Sequence, residues 1–169
     1  MTLDAQDWLL SPHELPGFQK YEVIDHLQKA EIIHHTEHLF VRIPKRYALC
    51  NLTAQIKSVL IRSKVKDGFC FVSAMHITAG IYINDAEIGL LKDISSWLEN
   101  LAPYGPDYQH HQTGEENGDA HLKSYLTNSS ATVPVTQGKL DLGPWQEIFY
   151  AEFDGQREKR ILIKVTGLY

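Results

Sequence analysis

Apolar positions recur along this chain at two different periods, and the switches between them predict its elements. Leu39, Val41 and Ile43 alternate with His38, Phe40 and Arg42, which predicts a half-buried strand over Glu31–Ile43, ended by Pro44. Leu52, Ile56, Val59 and Leu60 then fall on one helical face, with Asn51 as the cap and Lys57, Arg62 and Lys64 on the polar side. Lys64 and Lys66 suit the negative end of that helix, and Asp67-Gly68 is expected to turn the chain. Phe69, Cys70, Phe71, Val72, Ala74 and Met75 make a nearly unbroken apolar run, read as a buried strand over Gly68–Ile77. A second extended run, Ile81–Ile83, leads to Asn84, which with Glu87 resembles a capping box. Ile88, Leu91, Ile94, Leu98 and Leu101 form the stripe of the next helix, and Pro103 closes it.

The second half of the chain changes character. Thr132–Thr136 reads as an edge strand because Pro134 lacks a ladder donor, and Gly138–Leu142 is a further short strand. Trp145–Phe153 and Arg160–Val165 are expected as long strands joined through Asp154–Lys159 as a hairpin. Strands bracketing two or three helices give an α+β fold. Residues 1–28 read as an N-terminal arm with an apolar patch at Trp8, Leu9 and Leu10, either pinned through Trp8 to the body or a neighbouring subunit or a partly ordered terminus, and residues 29–169 as a single domain. Its 169 residues are enough for one core without staples.

Composition removes some function classes. A formal net charge of -5 argues against nucleic acid as a partner, since phosphate chains attract basic surfaces. Cys50 and Cys70 are too far apart for a CxxC site and fit a reducing, cytoplasmic setting. Neither a signal peptide nor a membrane span is read from the sequence, so no membrane partner is expected.

The chemistry concentrates in Tyr108–Ser130, where His110, Glu115, Glu116, Asn117, His121 and Lys123 crowd into a short span. Asn117 and His121 are four apart and share a helix face, whereas Glu116 and Lys123 share another. His76, at the end of an apolar strand, is the natural complement. With His110 and His121 it would give three imidazoles and an open fourth position, the pattern of a catalytic zinc ion. Glu115 or Glu116 would orient a ligand or act as base, and Lys123, Arg157 and Arg160 would hold an anion such as phosphate. His34, His35 and His38 lie on a strand, where the adjacent pair points to opposite faces, and are read as solvated. Ser124, Ser129 and Ser130 lack the context of a nucleophilic serine.

Several ordered blocks carry a family resemblance. They are His76-Ile77-Thr78-Ala79 with Ile83-Asn84-Asp85, and Tyr108-Gln109-His110 with Glu116-Asn117 and His121-Leu122-Lys123. Leu126 and Ser129 follow, then Gly138–Gln146 with its Leu140, Leu142 and Trp145, then Glu152–Gly155 with Arg157. In this the chain resembles the YjbQ-like family, over about Leu39 to Gly167. His111, Asn128, Pro144 and Gln156 depart from the family's usual asparagine, glycine, threonine and proline.

The resemblance implies antiparallel, sandwich-like sheets with two to three helices, assembled as a homotrimer with the histidine site near a subunit boundary. It also implies a small enzyme with weak thiamine-phosphate synthase activity, joining hydroxymethylpyrimidine diphosphate to a thiazole phosphate. On that reading Glu116, Asn117 and Lys123 are catalytic, Arg157 and Ser129 hold the phosphorylated metabolite, and His76, His110 and His121 hold a divalent metal, zinc or magnesium. Two alternatives stand beside it: a zinc-dependent hydrolase on the three histidines, and a trimeric protein that binds a phosphorylated metabolite or metal without turnover.

Overall fold

The structure, a computed structural model, describes residues 31–105 and 107–169, so the expected arm lies outside the described residues. Two antiparallel sheets and three α-helices form an α+β fold. The first sheet runs β1 (Ile32–Arg42), β8 (Glu158–Leu168), β3 (Asp67–Ala74), β5 (Ser130–Thr136) and β6 (Lys139–Leu140), each beside the next. The second runs β2 (Ala48–Asn51), β7 (Glu147–Glu152) and β4 (Ala79–Asn84). Helices α1 (Thr53–Ser63), α2 (Ile88–Leu101) and α3 (Gly118–Thr127) complete the described elements, with a 3-10 turn at Gln109–Thr113.

The main core lies between the sheets and is filled by Ile56, Val59 and Leu60 of α1 with Val72, Ile81, Ile148, Ile161 and Ile163. Burying aliphatic side chains there contributes roughly 1.5–3 kcal/mol each. β7 is covered on both faces. Ile148 and Tyr150 join the main core, while Ala151 joins Phe153, Leu98 and Ala120 in a second cluster under α2 and α3. A strand buried on both sides loses the polar alternation of a half-exposed one, and Ile148–Ala151 has none.

Several local expectations shift. Asn51 is the last residue of β2, one position outside the helix cap, though its Oδ1 still accepts from the Thr53 amide at 2.9 Å. The turn after α1 is made by left-handed Lys64 (φ 62°), and Asp67-Gly68 already belongs to β3. β3 is not a fully buried strand, because Phe69 on its outward face is 55% exposed. The expected capping box is replaced by a relay. Asp85 Oδ1 accepts from the Glu87 amide, and the Glu87 carboxylate accepts from the amides of Gly89 and Leu90 at 2.6 Å. A charged cap serves the positive end of α2 better than neutral Asn84 would.

The Asp154–Lys159 connection is not a hairpin, since β7 and β8 belong to different sheets. Gly155 donates to the Arg46 carbonyl and Gln156 to that of Ile43, which draws the chain across to β1. A Cβ on Gly155 would lie 2.0 Å from the Lys45 carbonyl oxygen, so only glycine permits this crossing. Trp145, expected to open the strand, lies before β7 and is 73% exposed.

Candidate functional site

The segment Met75–Thr78 sits at the seam between the sheets. The Met75 amide donates to the Arg160 carbonyl in the first sheet, and the Phe153 amide donates to the Thr78 carbonyl in the second. His76 is thereby held where the two layers meet. α3 approaches the same seam, because Gly80 of β4 leaves room for Thr127: a Cβ there would meet Thr127 Oγ1 at 2.1 Å.

His76, His110, His121, Asn117, Glu115 and Arg157 line one cavity of about 240 Å³. A neighbouring cavity of about 390 Å³ shares His76 and His121 and adds Ser124, Tyr125 and Ser129. The His110 and His121 rings meet edge to face, with centroids 4.5 Å apart. Burial, with neighbouring His110, lowers the pKa of His121; burial, with Lys159, lowers that of His76. Both rings therefore favour the neutral state. His111 does not line that cavity; its Nε2 accepts from the Gly118 amide at 3.4 Å.

Asn117 precedes the first turn of α3 without capping it. Its Nδ2 donates to Asp154 Oδ2 at 3.0 Å, and its buried Oδ1 has no partner among the described residues. Asp154 also contacts Arg157 Nη2 at 3.4 Å and Arg46 Nη1 at 3.9 Å. Buried acceptors are rarely left unsatisfied, so this oxygen is spare capacity at the cavity wall.

Not every expected residue joins this group. The Glu116 side chain is exposed and its carbonyl accepts from Arg46 at 2.9 Å; Glu115 is the carboxylate at the cavity. Lys123 lies across the helix, where its Nζ donates to Asp119 at 2.9 Å and Glu99 at 2.7 Å and stands over the Tyr47 ring. Arg160 takes an exposed place on β8 and does not line the cavity. Lys123 borders a separate cavity of about 520 Å³ between α2 and β2. There Tyr47, Asp119, Lys123 and Glu99 partner one another. Burial depresses the Lys123 pKa less than Glu99 and Asp119 raise it, so it stays charged.

A buried relay behind His76 was not anticipated. Thr78 Oγ1 lies 2.9 Å from His76 Nδ1 and accepts from Lys159 Nζ at 2.8 Å. Lys159 in turn pairs with Glu152, both fully buried, and Tyr150 donates to the other Glu152 oxygen at 2.8 Å. The odd signal was in the sequence: Glu152 ends an apolar run, where a carboxylate needs a partner.

The donor set does not suit a resident metal. Among the described residues no three His, Cys, Asp or Glu side chains converge as a metal site, and His76 Nδ1 is already taken by Thr78. No helix among them is long and apolar enough to cross a membrane.

The comparisons agree on the family. A profile described as UPF0047 protein YjbQ-like matches residues 37–168. A UPF0047 protein of Methanothermobacter thermautotrophicus is 41% identical over 133 residues, covering 79% of this chain and 92% of the relative. The UPF0047 protein YugU of Bacillus subtilis is 32% identical, covering 76% of this chain and 97% of the relative. Among solved structures, a YbjQ-like protein of unknown function from Sulfolobus solfataricus superposes with a TM-score of 0.77 at 29% identity, covering 81% of this chain and 99% of that one. A YjbQ/UPF0047-family protein from Clostridium acetobutylicum gives 0.71 at 33% identity, covering 76% and 98%. With a matching profile over most of its length and relatives above 40% identity, this chain belongs to the UPF0047, YjbQ-like family.

Proposed function

We propose that the cavity of His76, His110, Asn117, His121 and Arg157 binds a phosphorylated small molecule and stabilises a departing phosphate or diphosphate. One observation carries this reading: an arginine, a buried amide and three imidazoles reach one cavity from separate parts of the chain. Donors fixed in advance around developing negative charge are the largest lever a phosphate-transfer site has. Arg157 supplies the charge and a planar fork for phosphate oxygens. Ser129, at the adjoining cavity, borders the space for the remainder of the molecule.

The family resemblance gives the finer version, a weak thiamine-phosphate synthase. The thiazole nitrogen attacks the pyrimidine methylene, a C–N bond forms, and the C–O bond to diphosphate breaks with its electron pair leaving on oxygen. Arg157 and the imidazole N–H groups would take up that charge. The test is incubation of the full chain with hydroxymethylpyrimidine diphosphate and thiazole phosphate, reading thiamine phosphate and diphosphate release. Release that disappears in Arg157→Ala supports the enzyme. Diphosphate binding without product supports a binding protein instead.

A homotrimer belongs to the same proposal. Trp97, Leu101, Tyr125 and Trp145 are each more than half exposed, and apolar groups of this size are commonly covered by a partner. Light scattering that returned a monomer mass would remove that part.

A further inference from the structure

We infer that His76 is locked as a neutral imidazole with its proton on Nε2, a hydrogen-bond donor to an anion, and is therefore unavailable as a metal ligand. The anion half of this statement rests on the proposed function above; the lock itself rests only on the hydrogen bonds around Thr78.

The Thr78 backbone N–H lies 3.3 Å from His76 Nδ1, and a backbone N–H can only donate. The Lys159 ammonium lies 2.8 Å from Thr78 Oγ1 and also can only donate. Because the backbone N–H is aimed at Nδ1, that nitrogen is an acceptor, and the hydroxyl, which accepts from Lys159, turns its own proton to it, 2.9 Å away. Two donors meet at Nδ1, so Nδ1 carries a lone pair and the ring proton sits on Nε2. Nε2 has no partner among the described residues, and the ring borders both cavities.

Metal ligation through Nε2 requires the opposite tautomer, with Nδ1–H donating to an acceptor behind the ring. Here the group behind the ring is a donor. Glu152 reinforces this arrangement, because it pairs with Lys159 and holds the ammonium against Thr78 Oγ1. Thr78 and Lys159 are thus positioning residues for His76. An anion oxygen, as in phosphate, is what an Nε2–H at a cavity wall can receive.

The test is a long-range ¹H–¹⁵N spectrum of the full chain, labelled with ¹⁵N-histidine, recorded near pH 7.5 with and without zinc. A protonated Nε2, an unprotonated Nδ1 and no response of His76 to zinc are expected. A proton on Nδ1, or a zinc-induced shift of Nε2, would overturn the inference. Thr78→Ser, which keeps the hydroxyl, should hold the tautomer, whereas Thr78→Val should raise the Nδ1–H share to a detectable level. An unchanged spectrum in Thr78→Val would remove the hydroxyl from the account. Inorganic phosphate should move the His76 Nε2–H signal, and His76→Ala should weaken phosphate binding about tenfold. A phosphate titration with no effect on a correctly protonated His76 would overturn the anion reading while leaving the lock intact.

Discussion

The two faces of α3 carry similar side chains to opposite ends. On one face, Asp119 and Lys123 are closed: Asp119 accepts from Tyr47 at 2.6 Å, Arg46 at 3.2 Å and Lys123 at 2.9 Å, and Lys123 also reaches Glu99. On the other, Asn117 keeps a buried oxygen without a partner among the described residues and the His121 ring meets that of His110, both at a cavity wall. The first face spends its polar capacity within the fold, and the second holds capacity in reserve. A saturated ionic cluster holds the helix to α2 and the Arg46 loop. An unsaturated one is what a ligand completes.

The largest expected effect falls on the closed face. Asp119→Ala leaves Lys123, 3% exposed, with Glu99 alone and removes the acceptor of Tyr47 and one of those of Arg46. Breaking such a buried pair should cost about 3–5 kcal/mol in urea unfolding. A loss below about 1 kcal/mol would mean the cluster is not holding the helix.

On the open face Arg157→Ala should do the reverse. Diphosphate affinity should fall by tenfold or more, consistent with loss of a charge-assisted bond worth roughly 1.5–3 kcal/mol. Stability should change by less than about 1 kcal/mol, because Arg157 is half exposed and its Asp154 contact is at 3.4 Å. Unchanged affinity by calorimetry would take Arg157 out of the site.

Asn117→Ala removes one bond to Asp154 and the spare acceptor together. About 1 kcal/mol of stability should go. A hydrophobic replacement of similar shape, Asn117→Leu, should be no worse folded yet fail to bind, which separates reserve from scaffold.

The smallest effect is the pH dependence. His76 and His121 have folded pKa values lowered from 6.5, so the unfolded chain binds protons that the folded chain refuses. Their contribution is complete above about pH 6.5 and declines as pH falls through that value. Asp119 is pushed up by burial but held below 3.8 overall by Tyr47, Lys123 and Arg46, so its contribution is lost only in stronger acid. A urea midpoint followed against pH should drop first near 6.5, and His121→Ala should shrink that first drop to the share of His76 while leaving the acid one unchanged.

Much of the fold was legible, and what was missed has one cause. Periodicity located β1, α1, α2 and β7 because each has an apolar face that must be buried. It could not place β7 and β8 in separate sheets, since the crossing is set by Gly155 against the Lys45 carbonyl, a contact between distant segments. In the site, the spacing of Asn117 and His121 and the place of His76 at a strand end were readable, and Arg157 joined them. Lys123 looked equally chemical in sequence, but the partners that saturate it, Glu99 and Asp119, lie on α2 and on its own helix and declare themselves only in three dimensions. Lys159 was hidden for the same reason: it was read as a loop residue, whereas it is buried against Glu152.

The most direct measurement is a calorimetric titration of inorganic diphosphate into the full chain, His121→Ala beside Lys123→Met, each confirmed folded by circular dichroism. The two residues lie two positions apart on one helix and differ in which face they serve. Binding that weakens about tenfold in His121→Ala and holds in Lys123→Met is the predicted result. Binding that survives in His121→Ala and is lost in Lys123→Met would contradict the account and move the site to the other face of α3.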